Sequence, residues 1–229
     1  MVSLITEGSS RDENGRPFRR RRALPILVVF AVLALLGAVV WAGILGEDEN
    51  LATTVDCNAP APASQPADPG APPQQTLGEK VDPSTLRDVE PAALSATKVR
   101  VFNANGEHGQ AAQVAAQLSD YGFASAPDVQ AGNDPIYLDQ NMQCQGQLRF
   151  GPQGLAAASA VWLVAPCAEL IQDARTDDTV DLALGTYFRK ISPNTDAEEV
   201  LRSLKDPPPG TQPAPLDIDL LKAARTARC

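Results

Sequence analysis

Apolar positions along this chain follow several distinct patterns, and each predicts a different kind of segment. An unbroken run of 23 uncharged residues, ALPILVVFAVLALLGAVVWAGIL at 23–45, is long enough at about 1.5 Å per residue to cross about 30 Å of hydrocarbon. It predicts a transmembrane helix. From 46 to 91 the pattern lapses into Pro, Ala, Gln and Asp with almost no bulky apolar residue before Leu77, which predicts an extended spacer with too little burial to offset its ordering entropy. From 92 to 206 alternating runs and helical periods take turns. Val99 and Val101 around Arg100 read as a strand, and Ala111, Val114, Ala115 and Leu118 share one face of a helix over 110–120. Gly122 supplies a left-handed cap there, with Phe123 as the apolar residue that folds back. Residues 125–136, with a turn at Gly132-Asn133-Asp134-Pro135, read as a loop or short edge strand.

A second strand at 147–150 leads into a helix over 155–165 that Pro166 ends. Val180, Leu182 and Leu184 alternate with Asp181 and Ala183 in a third strand. A further helix over 195–204 opens with Thr195 as cap and Glu198 three residues on. Beyond a second Pro-rich stretch, Leu216, Leu220, Leu221 and Ala224 at helical spacing predict a C-terminal helix within 207–229. Strands alternating with helices imply one small α/β domain, a mainly parallel sheet with covering helices. Phe102 and Gly106 match Phe150 and Gly154 in spacing, which raises an internal repeat.

Charge gives the topology. Arg16 and Arg19 to Arg22 lie close before the long run, and Glu47, Asp48 and Glu49 follow it. The positive-inside rule then places residues 1–22 in the cytoplasm and the remainder outside it. A cleaved signal peptide fits less well, because its apolar region runs about 7–15 residues. Six of the 19 basic residues and three of the 28 acidic ones precede the run, leaving 13 basic against 25 acidic residues in the outer part. Such a surface repels nucleic acid and other polyanions. Any anionic ligand needs a local basic pocket, for which Arg100 and Arg149 are candidates. Both are equally readable as outward strand positions that keep an edge soluble.

All four cysteines, Cys57, Cys144, Cys167 and Cys229, follow the long run, as two disulfides in an oxidising compartment require. Three pairings are possible. Position along the chain favours Cys144 with Cys167 and Cys57 with Cys229. A metal site has little support, with no CxxC and one histidine, and no cofactor is expected. In VRVFNANGEHGQAA at 99–112, Gly106 and Gly109 stand after a strand and before a helix, as in nucleotide sites. The third glycine of a dinucleotide fingerprint is missing, Glu107 occupies the place of the phosphate, and no Walker lysine follows. The glycines read as a corner. His108 reads as an exposed turn residue, Trp162 as core, and Asp177, Asp178 and Asp181 as a solvated acidic loop without calcium-loop spacing.

The segments KVRVFNANGEHGQAAQVAAQLSDYGF, QLRFG and DTVDLALG resemble the LytR C-terminal domain family. Its pattern is a strand ending in Val-x-Asn, a glycine turn, an Ala-rich helix ending in Gly-Phe and a late strand ending in Leu-Gly. The resemblance spans about 97–188. It implies an extracytoplasmic α/β module without known catalysis, often joined to a polymer-transferring ligase domain for which these 229 residues leave no room. The expected function is a membrane-anchored, non-enzymatic module supporting the cell envelope. Its expected partner is a cell-wall glycan, a lipid-linked precursor or an envelope protein, engaged around Arg100, Asn103, Asn105 and Arg149. The alternative is an enzyme of envelope polymers with Asp134 and Asp139, or Asp177 and Asp178, as acid and base. A spacer that pairs with itself is a third reading.

Overall fold

The computed structural model describes residues 24–47, 56–62, 75–206 and 215–226. The expected tail 1–22, much of the Pro-rich stretch, residues 207–214 and Cys229 lie outside the described residues. The chain divides into two units, Met1–Ala52 and Thr53–Cys229. In the first, Leu24–Glu47 forms a single helix of 24 residues, α1. Its side chains are described at Pro25 and at 27–37, all exposed. Among the described residues no helix is both long and apolar enough to cross a membrane.

The second unit is built on one seven-stranded sheet. Its strands are β1 (Glu79–Lys80), β2 (Lys98–Asn103), β3 (Ala124–Ser125), β4 (Ala131–Asn133), β5 (Gly146–Phe150), β6 (Glu169–Gln172) and β7 (Val180–Leu184). Their order is β1-β6-β5-β7-β2-β3, and β4 also pairs with β2. β2 runs parallel to β7, β3 and β4, and β5 parallel to β6, whereas β5–β7 and β1–β6 are antiparallel. The sheet is therefore mainly parallel, as expected, with β5 and β6 reversed. The helices are α2 (Ser84–Arg87), α3 (Gln110–Tyr121), α4 (Leu155–Trp162), α5 (Thr195–Ser203) and α6 (Ile218–Ala224). Buried residues of all five join one apolar core with Val99, Val101, Leu148, Phe150, Leu170, Leu182 and Leu184. These strand residues alternate with the charged ones, so the helices cover one face of the sheet.

Local rules explain most boundaries. At the end of α3, Gly122 adopts φ 108° and Phe123 N bonds back to Leu118 O at 3.0 Å, which buries Phe123 as its sequence position predicts. α5 is capped by Asn194 rather than Thr195: its side chain accepts from Ala197 N at 2.7 Å. The Gly132–Pro135 turn is displaced, because Gly132 and Asn133 pair in β4 and the chain bends at Asp134, whose carboxylate accepts from Ile136 N and Tyr137 N. Asp217 caps α6, and Arg225 at its end reaches back to Val89 O and Ser159 Oγ. The repeat does not extend to conformation: Gly106 has φ 75° and Gly154 φ −90°, and Phe102 and Phe150 lie on opposite faces of the sheet.

The disulfide pairing is a correction. Cys57 is bonded to Cys144, so neither Cys144–Cys167 nor Cys57–Cys229 forms. Cys144 packs with Ile136, Tyr137, Met142 and Ala183 on the face opposite the helices. Cys167 lies between α4 and β6, next to Ala168, which packs into the helix-side core, and it too is disulfide-bonded. The sheet separates the two cysteines that lie nearest in sequence. Replacing both Cys57 and Cys144 by serine should lower the unfolding free energy by about 2–4 kcal/mol; urea titration of the variant checks this.

Candidate functional site

Parallel sheets usually bury both faces, and their strands then read as apolar runs. Here β2, β5 and β7 alternate, and register sets Arg100, Asp181, Arg149 and Ile171 side by side across β2, β7, β5 and β6. The face that the helices leave uncovered therefore carries charge at its centre. Arg100 and Arg149 do flank one position, as their places in the two strands suggest, but a carboxylate stands between them. Neither strand is an edge, so the solubility reading fails as well.

One half of this face is sealed. Arg149 is 1 % exposed; its Nη1 donates to Asp134 Oδ2 at 2.7 Å, and its Nε and Nη2 donate to Gln147 Oε1 at 3.1 and 2.9 Å. The guanidinium also lies over the Tyr137 ring. Tyr137 donates its hydroxyl to Asn58 O and accepts from Gln147 Nε2, and burial pushes its pKa up. Glu169 accepts from Cys57 N at 3.0 Å and from Lys80 Nζ at 2.8 Å. The loop 134–145 and the strap 56–58 are thus bonded down over this half. Arg149 is a structural ion pair, sealed from any ligand by its burial.

The other half reaches solvent. Asp181 accepts from Arg100 Nε at 2.5 Å and from Arg175 Nη2 at 2.7 Å. Arg100 also pairs with Asp128 at 3.1 Å, and Arg175 with Asp173. The result is a ladder, Asp128–Arg100–Asp181–Arg175–Asp173, whose middle carboxylate is 5 % exposed and whose Arg100 side chain is 20 % exposed. Burial works against the charge of Arg175, but hydrogen bonds to Asp173 and Asp181 outweigh it and hold its pKa above the ordinary guanidinium value. Burial likewise opposes ionisation of Asp173, and Arg175 overcomes it and holds that carboxyl low. Asp173 also lines an open hollow of about 590 Å³ with Thr76, Leu77, Glu79 and Gln172 at the β1–β6 edge. Arg175 and Asp173 show in the sequence only as opposite charges in DARTDD beside an alternating strand, and Asp128 only as one polar residue in a loop-like stretch.

The remaining candidates are accounted for inside the fold. Asn103 Oδ1 accepts from Ala111 N at 2.9 Å, and Asn105 Oδ1 accepts from Glu107 N at 3.0 Å while its Nδ2 donates to Gln110 and to Gly185 O. Gly106 and Gly109 hold positive φ. A first-turn amide that a phosphate would need already has a side-chain partner, so the glycines form a corner. His108 is exposed. Trp162 is half-buried, bonded through Nε1 to Pro166 O under the Arg225 guanidinium. Asp177 turns onto Thr179, Asp178 pairs with Lys98, and Asp181 joins the ladder. Asp134 is buried against Arg149 while Asp139 is exposed, so these two do not converge. Among the described residues no cluster of His, Cys, Asp or Glu is arranged to hold a metal.

The model of a family described as LytR cell envelope-related transcriptional attenuator, the LytR C-terminal domain, matches residues 96–188. The cell envelope integrity protein Cei of Mycobacterium tuberculosis is 48% identical over 214 residues, 93% of this chain and 94% of that protein. The crystal structure of the soluble domain of a conserved hypothetical secreted protein from Mycobacterium marinum is 50% identical, with a TM-score of 0.60, and covers 68% of this chain and 100% of its own. Residues 96–188, the centre of the α/β unit, thus match a LytR C-terminal domain. The chain belongs to the family of the cell envelope integrity protein Cei.

Two measurements separate the halves of the charged face. Arg149→Ala leaves Asp134 buried without its partner and should cost about 3–5 kcal/mol, whereas Arg149→Met combined with Asp134→Asn should cost clearly less, both read by urea unfolding. The depressed Asp173 carboxyl adds stability that is in place above its unfolded-state pKa of about 3.9 and is lost as pH falls through its lower folded value. Thermal unfolding should show this acid loss below about pH 4 in the wild type and a shallower one in Asp173→Asn.

Proposed function

We propose that this protein is a single-pass, membrane-anchored module whose domain lies outside the cytoplasm and supports the cell envelope without catalysis, by binding or scaffolding a wall glycan, its lipid-linked precursor or an envelope protein. The observation that carries the binding role is the open half of the charged sheet face. A face left without helices, with alternating acids and arginines held in fixed geometry, is a preorganised polar surface, and a fold selected only for stability gains little from such pairs. Of the expected set Arg100 and Asn105 keep partial exposure, and Arg100 is the one on this open half, where Arg175, Asp173 and Asp128 join it.

Several facts support the setting. The 24-residue helix α1 covers the uncharged stretch from Leu24 onward, and arginines before it with acids after it fit an N-terminus in the cytoplasm. Disulfide-bonded cysteines after the helix suit an oxidising compartment. The envelope role comes from the relative, the cell envelope integrity protein of Mycobacterium tuberculosis. The carboxylate pairs of the alternative enzyme reading are drawn apart: Asp134 is sealed against Arg149 while Asp139 is exposed, and Asp177 and Asp178 turn to Thr179 and Lys98.

The test is capture of envelope components by residues 53–229. Saturable capture of a wall glycan or precursor should weaken at least about tenfold in Arg100→Ala, the loss of about 1.4 kcal/mol expected of one charge-assisted contact, and stay unchanged in Lys222→Ala on the far helix. Capture indifferent to Arg100, or turnover of the substrate, refutes the reading.

A further inference from the structure

Two backbones cross at the end of β5, and the crossing bears on the outer half of the ladder. β6 and β7 flank β5, the first parallel to it and the second antiparallel. The connection from Gln172 to Val180 therefore steps over the point where β5 leaves the sheet, and it carries Asp173 and Arg175. Asp173 N donates to Phe150 O at 2.9 Å, which ties the start of the step to the last residue of β5. The residue that follows on the β5 side is Gly151, where the chain turns toward α4.

Gly151 has φ −90° and ψ 176°, an extended backbone open to any residue, so its missing side chain answers a need for space rather than for conformation. A Cβ there would overlap Arg175 O and lie 2.5 Å from Arg175 Cγ. Gly154 stands against the far end of the same connection, where an added Cβ would meet Thr179 O at 3.4 Å. From the β1 side Gly78 leaves room for Gln172 O, and a Cβ there would come within 2.9 Å of Asp173 Cα. Main-chain atoms cannot swing aside as the tip of a long side chain can, so these approaches fix the path of the connection. From that path Arg175 donates through Nη2 to Asp181 at 2.7 Å, through Nε to Asp173 Oδ1 at 2.8 Å and through Nη1 to Thr179 O at 3.4 Å. The guanidinium is spread over three partners, and its direction follows from where its backbone lies.

Given the binding role proposed above for the open half, we infer that Gly151 is a positioning residue of that site: by letting the β6–β7 connection lie against the end of β5, it sets Arg175 where one guanidinium reaches both Asp181 and Asp173. Gly78 and Gly154 steady the two ends of the connection. The likeness in spacing between 102–106 and 150–154 thus covers two different uses of glycine. Gly106 turns the chain at φ 75°, whereas Gly151 makes way for another stretch of backbone.

The test follows the Asp173 carboxyl, which faces Arg175, Arg100 and, across the hollow, Glu79. In the full chain, held in mild detergent and labelled with carbon-13 at aspartate, Gly151→Ala should move the Asp173 titration up toward the ordinary value of about 3.9 and shift the Arg175 Nε–H resonance. Gly146→Ala, whose Cβ would lie 2.6 Å from Ala183 O at the other end of β5, should lower stability and leave both signals in place. If Gly151→Ala does not fold, Gly154→Ala should move both signals in the same direction by less. Capture of solubilised peptidoglycan should weaken about tenfold in Arg175→Ala, the loss of one charge-assisted contact. It should weaken equally in Gly151→Ala and no further in the double variant. Unmoved signals in the folded Gly151 or Gly154 variants overturn the inference, as does capture that Arg100→Ala weakens and either Gly151→Ala or Arg175→Ala does not. Where peptidoglycan is not captured, or Arg100→Ala leaves its capture unchanged, the wall-glycan form of the binding reading fails, and the titration alone decides whether Gly151 places Arg175.

Discussion

Arg149 carries a full charge at 1 % exposure, so the cost of removing it from water has to be offset where it stands. Asp134 and Gln147 do this, and the way they do it sets the geometry of the whole second face. Asp134 receives the guanidinium on one oxygen and the amides of Ile136 and Tyr137 on the other. That fixes the start of the loop 134–145 on the sheet. The loop in turn carries Tyr137 to Asn58 and Cys144 to Cys57. A buried ion pair adds little net stability compared with a well-packed apolar replacement, but it tolerates few alternative arrangements. In this domain it selects one placement of a loop that has no helix or long strand of its own.

The fold was largely legible where the apolar period was clean. The strands at 98–103 and 180–184 and the helices at 110–121, 195–203 and 218–224 all follow from spacing and turn residues. Glu169–Gln172 was missed because four residues following a Pro-Cys turn are too short to show a period. Its two central positions are buried between β1 and β5, with Leu170 in the helix-side core. β1, β3 and β4 are two or three residues long and exist by pairing alone. Residues 163–165 look helical by periodicity but lie beyond α4.

The site was legible in its residue types and illegible in its pairings. Arg100 and Arg149 stand out as lone cations in apolar strands, yet their roles are decided by partners 81 and 15 residues away. Chain order carries no trace of which arginine meets an exposed carboxylate and which is sealed. The same limit governs the cysteines. Proximity in sequence favours Cys144 with Cys167, while the sheet that forms between them sends each to a different face. Asn103 and Asn105 were noticed for their polarity; their positions beside Gly106 and ahead of an Ala-rich helix already described caps and turns, and that is their use.

The two-residue ends of the sheet have a further consequence. A protein gathered in a membrane meets its own copies more often than a freely diffusing one does, and a long bare strand edge would offer each copy a template for pairing with the next. β1 presents only Glu79 and Lys80, while the opposite margin is broken into β3 and β4 with a proline and an aspartate between them. Neither edge is long enough to register with a neighbour. Edge-to-edge strand pairing between copies therefore finds little template at either margin of this sheet.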